Sequence, residues 1–332
     1  MTQQPVTVSQ TEEGIRLNRW FARHYPSVSL PEFYKLCRTG QIRVNAGRIR
    51  GNEILYAGDV IRVPPLANAR SEKAQGIGHK AGSGENFNLR DLEDLRKRII
   101  HDDADIVIFD KPAGLAVQGG SGIKKSLDKM VAAMYPYDTP LMVHRLDRET
   151  SGIIVVAKNQ MAAQNLSAEF AGKIARKEYL ALLHGTVAKK SGVIDNFLAK
   201  GVAFDNEEEA DAFVGAGPKP RRAITKYRVL NELPGILSLV QFFPETGRTH
   251  QLRLHAAKTL NAPIVGDTLY GDTKFNDSQM AALVGGGHLF LVAHRLSFRH
   301  PRTGAIMNVT VDLPAFMKPV VEFLGWKKSV SG

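Results

Sequence analysis

The chain has 332 residues, 43% hydrophobic and 23% charged, which is enough to bury a full-sized core in one large and one small domain and excludes a disordered protein. Its 44 basic and 33 acidic residues leave a formal charge of +11, which directs attention to a polyanionic partner, either nucleic acid or an anionic membrane surface. Residues 1–10 lack the basic start and apolar core of a secretory signal, no apolar run approaches membrane-spanning length, and the single cysteine, Cys37, excludes an internal disulfide framework and a cysteine-based zinc site. A cytoplasmic protein is therefore expected, with Cys37 as a small buried hydrophobe.

In chain order, the first dense feature lies between Gly14 and Pro65, where nine basic residues stand against three acidic ones, a net +6. Leu17, Trp20 and Phe21 follow helical spacing while Arg16, Arg19 and Arg23 fall on the other side. A second helix is expected from Pro31 to a stop at Gly40, with Phe33, Leu36 and Cys37 inward and Lys35 and Arg38 among its basic residues. Ile42 and Val44 then alternate with polar residues, Arg43 between them, up to the turn Asn45-Ala46-Gly47, and Gly58-Asp59 leads into a strand from Val60 to Val63. Surface arginines can merely solubilise such a module, but charge this concentrated favours RNA binding. The run from Leu30 to Val63 resembles the S4 RNA-binding domain, which implies an αα-hairpin module over residues 14–75 that contacts RNA through Arg16, Arg19, Arg23, Lys35, Arg38 and Arg43.

From Leu66 to Asn88 the composition shifts to Ala, Gly, Ser and Asn, and a flexible linker is assigned to residues 66–90. The rest, residues 91–330, reads as one domain. Strands are expected at Asp105 to Phe109, Gly152 to Ala157, Tyr179 to Leu183, Ile224 to Leu230, Gly235 to Phe243 and Leu289 to Phe298. Helices are expected at Gln160 to Phe170, Thr249 to Leu260 and Pro314 to Phe323, and Glu207 to Asp211 reads as a solvated acidic loop. Many strands with few helices, out of strict alternation, predict an α+β fold with a mixed sheet.

Three segments could carry chemistry. In Leu141 to Gly152, Asp147 sits among polar turn residues just before an apolar strand, and Arg145 and Arg148 favour its ionised form, as a nucleophile or base needs. An ordinary turn aspartate in a salt bridge fits equally well. In Thr246 to His255, Arg248 and Arg253 accompany a helix start, and Arg253 between Leu252 and Leu254 calls for a carboxylate partner, with Asp147 a candidate. In Arg176 to Leu183, Tyr179 is either a core tyrosine or a platform on which a nucleobase stacks. Gly119 to Ser126 lacks the Gly-Lys-Ser/Thr ending of a phosphate loop, and His250 and His255 lack the Glu of His-Glu-x-x-His, so neither a nucleotide loop nor a metal site is expected. Glu149 beside Asp147 suggests a two-carboxylate glycosidase only weakly, because Arg148 and a turn intervene.

Taken together, His144-Arg-Leu-Asp-Arg-Glu-Thr-Ser-Gly152, Arg176-Lys-Glu-Tyr-Leu-Ala-Leu182 and Gly247-Arg-Thr-His-Gln-Leu-Arg-Leu-His255, in this order, resemble the three motifs of the RluA family of pseudouridine synthases. The resemblance extends through Phe109-Asp-Lys-Pro-Ala-Gly114, Gly266-Asp267, Tyr270-Gly-Asp272 and Ala293 to Pro301. It implies a mixed, largely antiparallel β-sheet catalytic domain flanked by helices. It also implies an isomerase that breaks the ribose–N1 bond of uridine, turns the uracil and rejoins it through C5. Matched by position, Asp147 is the catalytic aspartate, acting on the sugar as nucleophile or by removing a ribose proton. Tyr179 stacks on the base and is a candidate acceptor of the C5 proton, Arg253 is the basic partner, and Arg145 fills the gap left by the flipped uridine. Arg148 and Arg248 join the expected RNA contacts. The implied enzyme is a monomer that needs no cofactor or metal and takes large-subunit ribosomal RNA or its assembly intermediate as substrate. Within the family, the N-terminal module and Ala116 to Gly122 point to a subtype acting on several uridines of that RNA, although another subtype also bears the module. Outside the family, the alternative is a non-catalytic RNA-binding assembly factor.

Overall fold

The structure, a computed structural model, describes residues 5–25, 28, 30–51, 53–65, 87–120, 123, 125–135, 138–199, 201–213, 219–271, 273–276 and 287–330. Most of the expected linker, residues 66–86, and Ser121, Gly122, Lys124 and Asp272 of the quoted motifs lie outside them.

The basic N-terminal segment folds as two helices, α1 (Leu17–His24) and α2 (Leu30–Arg38), on a four-stranded sheet in the order β1 (Val6–Thr7), β4 (Val60–Arg62), β2 (Arg43–Val44), β3 (Gly47–Arg48). The helical spacing delivers Leu17, Trp20, Phe21, Phe33 and Cys37 to one buried cluster. Burial and the Glu53 carboxylate push the Cys37 thiol up to about 11, consistent with a thiol that only packs. Gly40, at φ +69, ends α2, and Asn45 and Ala46, both at positive φ, make the tight β2–β3 turn. Strand β1 was not expected; it pairs with β4 at Val6↔Ile61 and Thr7↔Val60, a non-local pairing with no signal of its own in a two-residue strand.

Residues from Ile99 onward build an eleven-stranded sheet. Its main path runs β11 (Val202–Phe204), β10 (Ser191–Ala199), β12 (Arg221–Leu233), β13 (Leu237–Pro244), β9 (Arg176–His184), β14 (Leu291–Arg299), β8 (Ser151–Ala157), β6 (Ile106–Lys111), β5 (Ile99–Asp102). Strands β7 (Leu141–Met142) and β15 (Ile306–Thr310) pair off that path with β8 and β14. Every described strand pairing is antiparallel except β14 with β8, so the sheet is mixed and largely antiparallel, as expected. The uninterrupted apolar runs in β6 and β8 follow from burial on both faces. Ile106, Ile108, Ile153 and Val155 join the core that includes Ala162 and Leu166 of helix α5 (Gln160–Ala171). Val107, Phe109, Ile154 and Val156 join the opposite core with Leu95 of α3 (Leu89–Arg96) and Met130 of α4 (Leu127–Met134).

The single parallel seam brings Gly152 against Ala293. Gly152 has φ +105, and a Cβ there would lie 2.3 Å from the Ala293 carbonyl oxygen. Gly152→Ala is therefore expected to destabilise the fold by about 3 kcal/mol or more through backbone displacement at a left-handed position; a urea midpoint within error of wild type would contradict it.

Several expected elements differ. Glu207–Asp211 is a short helix and not a loop, because the Asn206 side chain accepts from the Glu209 amide at 2.9 Å and the three glutamates complement its N-terminus. The helix expected from Thr249 starts at Gln251, since His250 is left-handed at φ +54, and passes from an α turn, α7 (Gln251–Leu254), into a π turn over His255–Thr259. The π turn carries the buried His255 ring, hydrogen-bonded to Thr225 Oγ1 at 2.9 Å and Asn196 Oδ1 at 3.1 Å. The last expected helix begins at Lys318, after a turn in which the Met317 amide donates to the Pro314 carbonyl. Helix α3 opens within the segment assigned as linker, capped by Asn88. Among the described residues no helix is long and apolar enough to cross a membrane.

Candidate active site

The Asp147 loop joins β7 to β8 and is fixed from beneath. Lys111, at the end of β6, is fully buried, and its Nζ donates to the carbonyls of Pro112 (2.9 Å), Leu115 (2.9 Å) and Arg148 (3.0 Å). The Gly114 amide donates to the Arg148 carbonyl at 2.9 Å, and Arg148 Nε returns a bond to the Gly114 carbonyl at 3.1 Å. Burial pushes the Lys111 ammonium down to about 7, against the opposing pull of Glu149, Asp147 and Asp110. On the other side His144 stacks on Phe170 at 4.4 Å and accepts the Val155 amide at 3.0 Å; burial and then Lys177 push it down to about 3, so it serves as a neutral acceptor.

The loop borders a cavity of about 640 Å³ that gathers Arg145, Asp147, Tyr179, Arg248 and Arg253 from three separate segments. The Asp147 carboxylate makes no hydrogen bond to another described residue, yet it acts electrostatically on Lys111, Tyr179, His250, Arg253 and Tyr270. It is thus held in place by its backbone, with its oxygens open to the cavity among the described residues. Tyr179 lies inside this cavity in β9; burial first and the Asp147 charge second push its phenol upward, so it stays protonated. Gln251 shapes the far wall, accepting from the Arg248 amide (3.0 Å) and the Thr246 hydroxyl (2.8 Å) and donating to Thr225 Oγ1 (2.9 Å).

Arg253 differs from expectation in its direct partner. Its Nε and Nη2 donate to Asp267 at 2.8 and 2.6 Å, with side-chain exposures of 5% and 1% for the pair. Asp267 is further held by the amides of Leu269 and Tyr270. A fork-to-carboxylate pair buried this deeply satisfies the guanidinium and leaves the nearby Asp147 carboxylate without a hydrogen bond to another described residue.

The remaining expected residues lie elsewhere. Arg148 is exposed on the opposite side of the loop from the cavity, Lys35, Arg38 and Arg16 are exposed on the N-terminal module, and Arg43 is half-buried. The side chains of Arg19 and Arg23 lie outside the described residues. Sequence reasoning missed Lys173, Lys177 and Arg221, which also line the cavity. Lys177 was legible, because two positions from Tyr179 on a strand it shares that face; Lys173 and Arg221 reach the cavity only through tertiary placement. Asp103, Asp105 and His300 lie close enough to hold a cation. However, Asp105 is forked by Arg302 at 2.7 Å, and Asp103 is bonded to His101 at 2.6 Å and His300 at 3.0 Å, so protein groups already use these ligand atoms.

Residues 105–258 match the family model described as RNA pseudouridylate synthase. The chain is 33% identical over 96% of its length to ribosomal large subunit pseudouridine synthase C of Haemophilus influenzae, covering 94% of that protein. The chain belongs to the RNA pseudouridylate synthase family. This pseudouridine synthase is 32% identical to ribosomal large subunit pseudouridine synthase C of Escherichia coli, over 96% of both chains. Among solved structures, human RNA pseudouridylate synthase domain containing 4 covers 70% of the synthase and 95% of its own chain, with TM-score 0.56 and 25% identity. The matched region includes Asp147, Tyr179 and Arg253.

Proposed function

We propose that this synthase isomerises uridines of large-subunit ribosomal RNA to pseudouridine, with Asp147 as the reacting carboxylate. The observation that carries this reading is an Asp147 carboxylate with no hydrogen bond to another described residue, at a cationic cavity that also holds the Tyr179 ring. The C-type relatives named for large-subunit RNA support the substrate. The uridine flips into the cavity, Arg145 takes its place in the RNA, and Tyr179 stacks on the uracil. Asp147 acts on the ribose while the N1 bond breaks; the uracil rotates, C5 bonds to the sugar, and C5 loses its proton. A phenol pushed upward is a poor proton acceptor, so stacking is the role of Tyr179 that its surroundings favour. Purified protein should release tritium from deproteinised or precursor ribosomal RNA labelled at uracil C5; no release would end the proposal.

The N-terminal module is assigned as an S4-type RNA-binding domain. In register, Arg43 faces Arg48 on one neighbour and Arg62 on the other, so three like charges stand side by side on one face of the small sheet. Such a row is unfavourable without a counter-anion and suits a phosphate backbone. Replacing all three arginines by glutamine is expected to weaken RNA binding and to flatten the dependence of log affinity on log salt by about 2 to 3. An unchanged slope would remove these residues from the interface.

A further inference from the structure

A second cavity, of about 600 Å³, opens on the other side of the Asp147 loop. Arg148 rims this cavity, whereas Arg145 and Asp147 line the first. Only three Cα steps separate Arg145 from Arg148, so their backbones are at most about 11 Å apart. Between them, Leu146 is buried in the core that also holds Leu115 and Met130, and the wall between the two cavities is this one loop. The second cavity has an apolar floor that includes Leu95 and Leu115, with Arg98 and Arg148 as its cations beside Asp94, and with Lys125 already paired to Asp91 at 2.5 Å. Arg98 reaches Asp110 at only 3.6 Å, and Arg148 meets Glu149 at 3.3 Å with its side chain largely exposed, so both keep donors for an anion.

We infer that this cavity takes a second unpaired nucleotide of the substrate RNA, close in sequence to the target uridine, with its base on the apolar floor and its phosphate against Arg98 and Arg148. The inference rests on the RNA-isomerase reading of the first cavity. Continuity argues for the same strand: RNA that delivers a flipped uridine past Arg145 reaches Arg148 directly. Chemistry argues for a nucleotide, because apolar floors with guanidinium rims hold unstacked bases, and the volume falls within the range of small-ligand sites. Asp94, whose Oδ1 already accepts from Lys97 Nζ at 3.0 Å, keeps Oδ2 to accept an N–H from the edge of that base. The cavity thereby reads a position beside the target and contributes to the choice of uridine.

The test uses RNA hairpins that carry a mapped target uridine, with each near neighbour replaced in turn by an abasic nucleotide. In the wild-type enzyme, one abasic position is expected to lower kcat/KM about tenfold, the scale of one stacked base. Ala113→Phe, which fills the cavity, is expected to lose a similar factor on intact RNA and nothing more at that abasic position, because base and cavity form one coupled pair. Arg98→Gln provides a second variant if the first unfolds, and losses at that position short of additive carry the same meaning. Full activity of the folded variants on intact RNA, or losses that add at every position, would overturn the inference. Wild-type enzyme inactive on every hairpin would overturn the isomerase reading beneath it, and this inference with it.

Discussion

Asp147→Asn is expected to lower tritium release from C5-labelled ribosomal RNA by on the order of 10⁴-fold or more while RNA affinity and the unfolding midpoint stay unchanged. The amide keeps the size and position of the carboxylate but neither attacks a sugar nor removes a ribose proton. Affinity persists because Arg145, Lys177, Arg221 and Arg248 still supply positive charge around the cavity. The fold persists because the loop is held by backbone groups, through Lys111 and Gly114 on Arg148 and through the Thr150 amide on the Asp147 carbonyl. Turnover by the asparagine variant at more than about 1% of wild type would assign the chemistry to another group.

Asp267→Ala is expected to destabilise the protein by about 3–5 kcal/mol, because it strands a buried guanidinium without its fork partner. Asp267→Ala combined with Arg253→Met is expected to recover the part of that loss due to the stranded guanidinium, while the Leu269 and Tyr270 amides still lack their acceptor. Stability and catalysis then part company: the double variant folds but turns over slowly, because the cation beside Asp147 is gone. Urea unfolding of both variants, with tritium release measured on the double variant, checks the two halves. A single variant within about 1 kcal/mol of wild type would show that the pair is not carrying the charge, and a fully active double variant would confine Arg253 to a structural role.

How much of this was legible differs from residue to residue. Asp147, Tyr179 and Arg253 each sit in a distinctive local run, and the structure brings the three to one cavity. The direct partner of Arg253 was not legible, because Asp267 lies fourteen residues on, beyond the π turn, and no local spacing links it to Arg253, whereas Asp147 was the only carboxylate weighed for the role. Lys111 stood in a quoted motif, yet nothing local indicated that its ammonium would be spent on three carbonyls from two different turns.

The sequence by itself determined the α+β class, most strands and helices, the concentration of positive charge at the N-terminal end and the three segments that meet at one cavity. Those properties are written in local periodicity, turn residues and composition, which act over a few neighbouring positions. Only the tertiary structure decided that Asp267 takes Arg253 and leaves the Asp147 carboxylate without a partner among the described residues, that three arginines align across three short strands, and that the Asp147 loop has a cavity on each side. These depend on strand register and on which buried charges meet, and both are fixed by contacts between residues far apart in the chain.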